Sequence, residues 1–310
     1  MHTILGAGGI IANSLAKILG DKNEKFRLVS RNPKPLPGSE ILAADLTDPG
    51  QTLKAVQQSS IVYLCVGLPY NYSIWRSSWP KIITNVIDAC KTTSARLIFF
   101  DNVYMYGKVD GWMTEETPYN PSSRKGDLRA RIATQIMSEV RKGNITASIA
   151  RAADFYGPSA DKTSIPNLMV FDKLAKKQKP QWLVNAKTRH SYTYTPDAAK
   201  ALYILGQSEG SWNQVWHLPT APNPLTGEEF IAKAAAHFDA KPGYFVIRPW
   251  MMALGGLFDR TIAELYEMTY QLKFDYLFDS SKFENAFNFV PTSYDAGIAE
   301  VAEAKARNSV

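Results

Sequence analysis

"ILGAGGIIANSLAKIL", Ile4 to Leu19, decides the fold. Apolar residues run up to Leu5, glycines follow at 6, 8 and 9, and apolar positions then recur at helical spacing. The pattern reads as a strand, a tight turn and a helix. Glycine permits the turn and lets backbone N–H groups approach a pyrophosphate, which then rests against the positive end of the helix dipole. Ala12 is small enough for the helix to pack closely on a sheet. Gly6, Gly8 and Gly9, with the first helical residues Ile10 and Ile11, are therefore candidate dinucleotide-binding positions. The competing reading is a tight turn with no ligand.

Downstream, short apolar runs alternate with longer amphipathic ones, as in a parallel sheet covered by helices. Strands are expected at His2–Leu5, Phe26–Ser30, Ile41–Ala44, Ile61–Val66, Arg96–Phe100 and Thr146–Ala150. Helices are expected near Gly9–Leu19, Leu53–Gln57, Ile74–Cys90 and Asp127–Arg141. In the last of these, Leu128, Ile132, Ile136 and Val140 stand four apart and form one apolar stripe. Right-handed crossovers then give an α/β, doubly wound parallel sheet whose ligands bind beyond the carboxyl ends of the strands. After about Gly157 prolines punctuate shorter elements, and a long helical stretch is expected around Met251–Leu272. The expected division is 1–160 for the dinucleotide-binding domain and 161–310 for a smaller C-terminal α/β substrate domain, with a segment near 188–205 returning to the first.

The second strand ends "LVSRNP", with Ser30 and Arg31 where an NAD-binding sheet carries an acid for the ribose hydroxyls. A guanidinium and a hydroxyl suit a 2′-phosphate, so NADP is favoured, with NAD as the other option. Asp45 and Leu46, in "AADLTD", follow the third strand and could border an adenine. Cys65, Val66 and Gly67, at the end of the fourth strand, are further candidate cofactor-binding positions.

The segments "GAGGIIA", "SRN", "ADLTD", "LCVG", "NVYMYG", "EETPYNPSS", "RAADFYGP", "YTYTPDAAKAL" and "NFVPTSYDAGI" occur in this order along nearly the whole chain. In them the sequence resembles the short-chain dehydrogenase/reductase superfamily, in its extended or atypical branch, close to NAD-dependent epimerase/dehydratase sequences. The resemblance implies a Rossmann domain, a nicotinamide cofactor and hydride transfer at a carbonyl or hydroxyl carbon of a small, sugar-like substrate.

The resemblance also implies a Ser or Thr four residues before the tyrosine of "VYG", then a Tyr and a Lys four apart on a helix. Counted back from Tyr106, the first position is Asn102, and "NPSSRKGDLRARI" offers Lys125 and Arg129 for the other two. None of the three usual identities is present. Lys125 and Arg129 share one helical face, and two cations so placed favour the neutral amine at Lys125. Lys125 would then exchange a proton with substrate, Asn102 would donate to a developing oxyanion, and Arg129 would take the cofactor-ribose contact. Tyr104 offers a phenol nearby, with aromatic packing as its other role. The competing reading is a non-catalytic NADP(H)-binding sensor or regulatory protein, with Lys125 and Arg129 as solvated helix residues.

On the substrate side, "CVGLPYNYSIWRSSW" supplies Tyr70, Tyr72, Trp75 and Arg76, either an aromatic wall for a ring or one side of a buried helix with Trp79. Where sugar epimerases of the resembled family read "RD(F/Y)xxVxD", this chain has "HSYTYTPD". His190 thus replaces the arginine that meets a sugar-nucleotide diphosphate, either as a hydrogen-bond donor or acid/base group, or as a structural histidine.

Composition bounds the remaining classes. The chain has 310 residues, 45% hydrophobic and 21% charged, and no apolar run long enough for a membrane span, so no membrane partner is expected. Only Cys65 and Cys90 are present, without metal-ligand spacing, which points to reduced thiols, no metal and a cytoplasmic protein. The net charge of +6 centres on "KLAKKQK", Lys173 to Lys179, a solvated helix face without interleaved aromatics, so nucleic acid is not the expected partner. A small-molecule substrate and a monomer or homodimer are expected.

Overall fold

The computed structural model describes residues 1–160 and 164–308. The boundary expected at 160/161 falls against residues outside that set. The chain divides into two compact units, each assembled from three stretches. The first comprises Met1–Met105, Arg124–Arg151 and Ala198–Trp216, and the second Tyr106–Ser123, Ala152–Asp197 and His217–Val310.

The first unit is built on strands β1 (His2–Leu5), β2 (Phe26–Ser30), β3 (Ser39–Ala43), β4 (Ile61–Leu64), β5 (Arg96–Asp101), β6 (Ala147–Arg151) and β7 (Val215–His217). Their order across the sheet is β7-β6-β5-β4-β1-β2-β3. The pairings from β3 through β6 are all parallel. The sheet is therefore a doubly wound, Rossmann-type parallel sheet, and the order reverses between β1 and β4, where the crevice of such sheets opens. Central strands β1 and β4 are buried along their length, β4 as its apolar run requires and β1 with His2 and Thr3 buried as well, whereas edge strand β3 is largely exposed.

Helices α1 (Ile10–Asp21), α2 (Pro49–Val56), α3 (Tyr72–Thr93) and α4 (Arg124–Arg141) connect or flank these strands, and α5 (Thr195–Gln207) precedes β7. The stripe Leu128, Ile132 and Ile136 of α4 is buried as its four-residue spacing predicts. Strand β3 begins two residues earlier than expected, because Ser39 folds back on Leu36 and starts the pairing with Phe26.

The second unit has only short two-stranded pieces, pairing 154–156 with 192–194, 181–183 with 245–247, 189–190 with 225–226 and 112–113 with 277–278. Its core is aromatic, with Tyr156, Phe171, Trp182, Tyr192, Phe230 and Tyr294 packed together. Helix Gly227–Ala236 starts on a reciprocal cap between Thr226 and Glu229. The continuous helix expected over Met251–Leu272 is not found. Gly255 and Gly256 end one helix (Pro249–Gly255), Asp259 caps the next (Arg260–Tyr266), and a final turn covers Thr269–Leu272. The glycines allow a close return, since a Cβ on Gly256 would lie 3.1 Å from the Ala263 Cα.

Candidate cofactor and catalytic site

Gly6 and Gly8 have φ of +105° and +98°, which side-chain-bearing residues rarely adopt. A Cβ on Gly6 would also sit 2.7 Å from the Cys65 carbonyl and the Val66 nitrogen, so β1 can approach the end of β4 only with glycine there. A Cβ built on Gly8 would meet nothing within 4 Å, while the Gly8 N–H donates to Asn13 Oδ1 at 3.2 Å. Gly9 opens α1 without a side-chain cap, and no acid stands in the first turn. The first N–H groups of the helix, at Ile10 and Ile11 among others, therefore keep donors that the helix cannot satisfy, beside open space and the positive dipole end. This arrangement fits an anion such as a pyrophosphate.

At the end of β2, Ser30 is half-buried and its carbonyl accepts from Ala44 N, while Arg31 is exposed. Across the gap, Asp45 accepts hydrogen bonds from the backbone N–H and hydroxyl of Thr47. These bonds, helped by the nearby Arg31 charge, hold its carboxyl below the usual aspartate range. Leu46 is buried beneath that turn. At the end of β4, burial pushes the Cys65 thiol up to about 12, so it stays protonated, while Val66 is half-buried and Gly67 exposed.

The candidate catalytic positions lie at the end of β5 and the start of α4. The Asn102 Oδ1 accepts from Tyr104 N at 3.1 Å. Because a backbone N–H can only donate, this fixes the amide orientation and leaves the Asn102 NH2 available to donate. Lys125 is fully buried, with its Nζ 4.8 Å from the Tyr70 ring centroid. Arg129 pairs with the end of β5. Its Nε donates to Asp101 Oδ1 at 2.7 Å, a second guanidinium nitrogen pairs with the same oxygen, and its plane lies over Trp79 and Phe99 at 4.6 and 4.9 Å. The Asp101 carboxylate thus balances the Arg129 charge that stands one helical turn from Lys125.

Asp101 is the centre of this arrangement. It is 2% exposed, accepts from Asn102 N at 2.8 Å, and lies in register with Arg151 of the neighbouring strand, whose Nε is 3.7 Å from its Oδ2. The sequence reading assigned no partner to Asp101 or Arg151. The available signal was a pair of opposite charges at the ends of two strands expected to be adjacent.

The aromatic segment divides. Trp79 is buried in the helix, and Trp75 is buried too, stacked by Tyr104 at 6.4 Å and met edge-on by Tyr70. Neither offers an open face for a sugar. Tyr70 and Tyr72 stay half-buried, Arg76 is exposed, and Arg124 lies 4.6 Å over the Tyr72 ring. Tyr104 thus packs as an aromatic.

A family model described as the NAD dependent epimerase/dehydratase family matches residues 2–216. The chain belongs to that family. No curated protein matches it in sequence. Among solved structures it resembles the UDP-glucose 4-epimerase of Thermus thermophilus in complex with NAD, at 15% identity and a TM-score of 0.80 over 100% of both chains. It also resembles a double mutant of the dTDP-glucose 4,6-dehydratase of Streptomyces venezuelae with NAD bound, at 14% identity and a TM-score of 0.80, covering 99% of this chain and 97% of that one. The Bordetella bronchiseptica enzyme WbmH, in complex with NAD+, gives 16% identity and a TM-score of 0.76, covering 100% and 99%. These likenesses bear on the fold.

In this member of the epimerase/dehydratase family, the second unit pairs a buried histidine with a carboxylate. His190 Nε2 lies 3.0 Å from Asp154 Oδ2, and the ring stacks on Tyr276 and leans on Tyr192. The histidine is 2% exposed and its Nδ1 has no hydrogen bond. Its ring is thus fixed by packing and by one carboxylate. His217 is bonded to Tyr106 at 2.6 Å and to the Asp279 carbonyl at 2.7 Å. Among the described residues no group of His, Cys, Asp and Glu has the make-up of a metal site.

Proposed function

We propose that this member of the epimerase/dehydratase family binds NADP and acts as an oxidoreductase or epimerase on a carbonyl or hydroxyl carbon of a small, sugar-like substrate. The observation that carries the reading is the open glycine turn on an uncapped, acid-free α1, combined with a β2 end that presents Ser30 and Arg31 instead of a carboxylate. When bound, the nicotinamide supplies or accepts the hydride. The Asn102 NH2 donates to the substrate oxygen as negative charge develops there. The Lys125 ammonium gives that oxygen its proton during reduction and takes it back, as an amine, during oxidation. Arg129 positions the start of α4 through Asp101 and does not meet the ribose. Tyr70, Tyr72 and Arg76 border the substrate, and Asp45, Leu46 and Val66 the cofactor.

Two variants test this. Arg31→Ala should weaken NADPH binding about tenfold while changing NADH binding little, because only one cofactor carries the phosphate. Lys125→Met should abolish turnover on a panel of sugar nucleotides, aldehydes and ketones while NADPH affinity persists. Unchanged turnover would sink the assigned role. A second reading, a cofactor-binding sensor without redox chemistry, is favoured by the capture of Arg129 by Asp101. It predicts no turnover by the wild type on the whole panel, together with partner association that changes on NADPH binding.

A further inference from the structure

The densest basic run and the most exposed apolar side chains of the chain lie in the second unit, and the site above uses neither. Lys176, Lys177 and Lys179 are exposed and have no ion pair among the described residues. The strand that follows them, 181–183, pairs with 245–247, and Phe245 N donates to the Pro180 carbonyl at 2.9 Å. A Cβ built on Gly243 would lie 3.8 Å from the Lys179 Cε, so the run borders this second strand. From there an open cavity of about 520 Å³ is lined by Phe245, Arg248 and Trp250 among others. Arg248 is exposed and likewise lacks an ion pair among the described residues.

The helix that begins at Pro249 is apolar on both faces. Its inner face packs Met252 against Leu183, Val184 and Leu272. Its outer residues Trp250 and Leu254 are 64% and 54% exposed, and the turn after it holds out Leu257 at 75% and Phe258 at 92%. A helix apolar all round is ordinarily covered all round. Of the acids nearby, Asp259 caps Thr261 and Ile262, and Glu228 accepts from Tyr244.

Charge selects the occupant. A two-fold-related copy would bring Arg248 and the lysines towards their own counterparts, which repel. Nucleic acid would engage the cations and stack on aromatics, but gives little to Leu254 and Leu257. An anionic bilayer takes both, with headgroups for the lysines and the acyl boundary for Trp250, Leu257 and Phe258. We propose that this edge of the second unit docks peripherally on an anionic lipid bilayer. No helix among the described residues is long and apolar enough to span one, so the contact is superficial. The proposal revises the expectation of no membrane partner.

Co-sedimentation of the full chain with phosphatidylcholine vesicles, with and without phosphatidylglycerol, tests it. Binding is expected only with the anionic lipid, and weaker at high salt. Leu257→Ser/Phe258→Ser should weaken it at least about tenfold, since two large apolar side chains leave the acyl boundary. K176E/K177E/K179E should weaken it by roughly fivefold or more per lysine. All these positions are exposed, and unchanged circular dichroism and Tm will show that the fold persists. No binding to anionic vesicles would overturn the proposal, as would binding indifferent to the Leu257/Phe258 change. A dimer that this change dissolves, without vesicle binding, would assign the face to a second copy. Tighter binding to single-stranded RNA than to vesicles would assign it to nucleic acid.

Discussion

Removing the Asp101 charge tests whether the catalytic end of the sheet is built as described. In Asp101→Asn, Arg129 and Arg151 lose the carboxylate between them, and all three side chains are at most 5% exposed. Breaking a buried pair by removing one partner costs about 3–5 kcal/mol, because the remaining charge stays desolvated. An unfolding entropy of about 2.1 cal/mol/K per residue gives roughly 0.65 kcal/mol/K for 310 residues. If the chain unfolds as one cooperative unit, Tm should therefore fall by roughly 5–8 °C. Differential scanning calorimetry reads this directly. Arg129→Met should fall less than half as far, since Arg151 still neutralises Asp101 and the methionine keeps contact with Trp79 and Phe99. A drop below about 2 °C in Asp101→Asn would refute the reasoning, because the pair would then contribute no more than a surface contact.

The two strained glycines should behave differently, although their φ values are alike. Gly6→Ala drives a Cβ into the Cys65–Val66 backbone and should cost folded yield, whereas Gly8→Ala meets nothing, should stay folded with Tm lowered a few degrees, and should lose NADPH affinity in a fluorescence titration. Glu139 tests the clamp between α3 and α4. Bonds from Lys142, Lys91 and Asn144 hold its carboxyl down to about 2, below the ordinary 4.5. A folded value below the unfolded one means that this stabilisation is full above about pH 4.5 and is lost as pH falls towards 2. The difference in urea midpoint between wild type and Glu139→Gln should accordingly shrink over that range, and a difference that stays flat would contradict the clamp.

The architecture was legible because its signals are local. Period-two and period-3.6 apolar patterns, and a glycine turn at the first strand end, each depend on a few neighbouring residues. The break at Gly255–Gly256 has a local signal as well, in the glycine pair itself. What sequence could not supply was pairing across distance. Arg129 follows Lys125 by one helical turn, and on that spacing alone it reads as a cation facing a cation. Its actual partner, Asp101, lies 28 residues away on another element. The same limit applies to Trp75, where composition left an open ring-stacking wall and a buried helix face equally available. Only the position of Tyr104 decides between them.

Two of the departures from the family pattern, Lys125 and Arg129, have aromatic partners in this chain. Each cation at the start of α4 is seated on an aromatic ring from the segment after β4: Arg124 on Tyr72, Lys125 on Tyr70 and Arg129 on Trp79, which Phe99 of β5 joins. A lysine at 129 would keep the charge but lose the planar fork, which puts two nitrogens on one Asp101 oxygen while its Cζ sits 4.6 Å from the indole centroid. A tyrosine at 125 would remove the cation that Tyr70 faces. Restoring the family residues singly would thus strand partners built for the present ones, and Arg129→Lys should destabilise the fold without making a ribose contact. Under the proposed function the chemistry must then come from groups other than Arg129. Those are the Asn102 NH2, held outward by its own Oδ1 bond to Tyr104, and the Lys125 ammonium, which Tyr70 faces while the Asp101 carboxylate goes to Arg129.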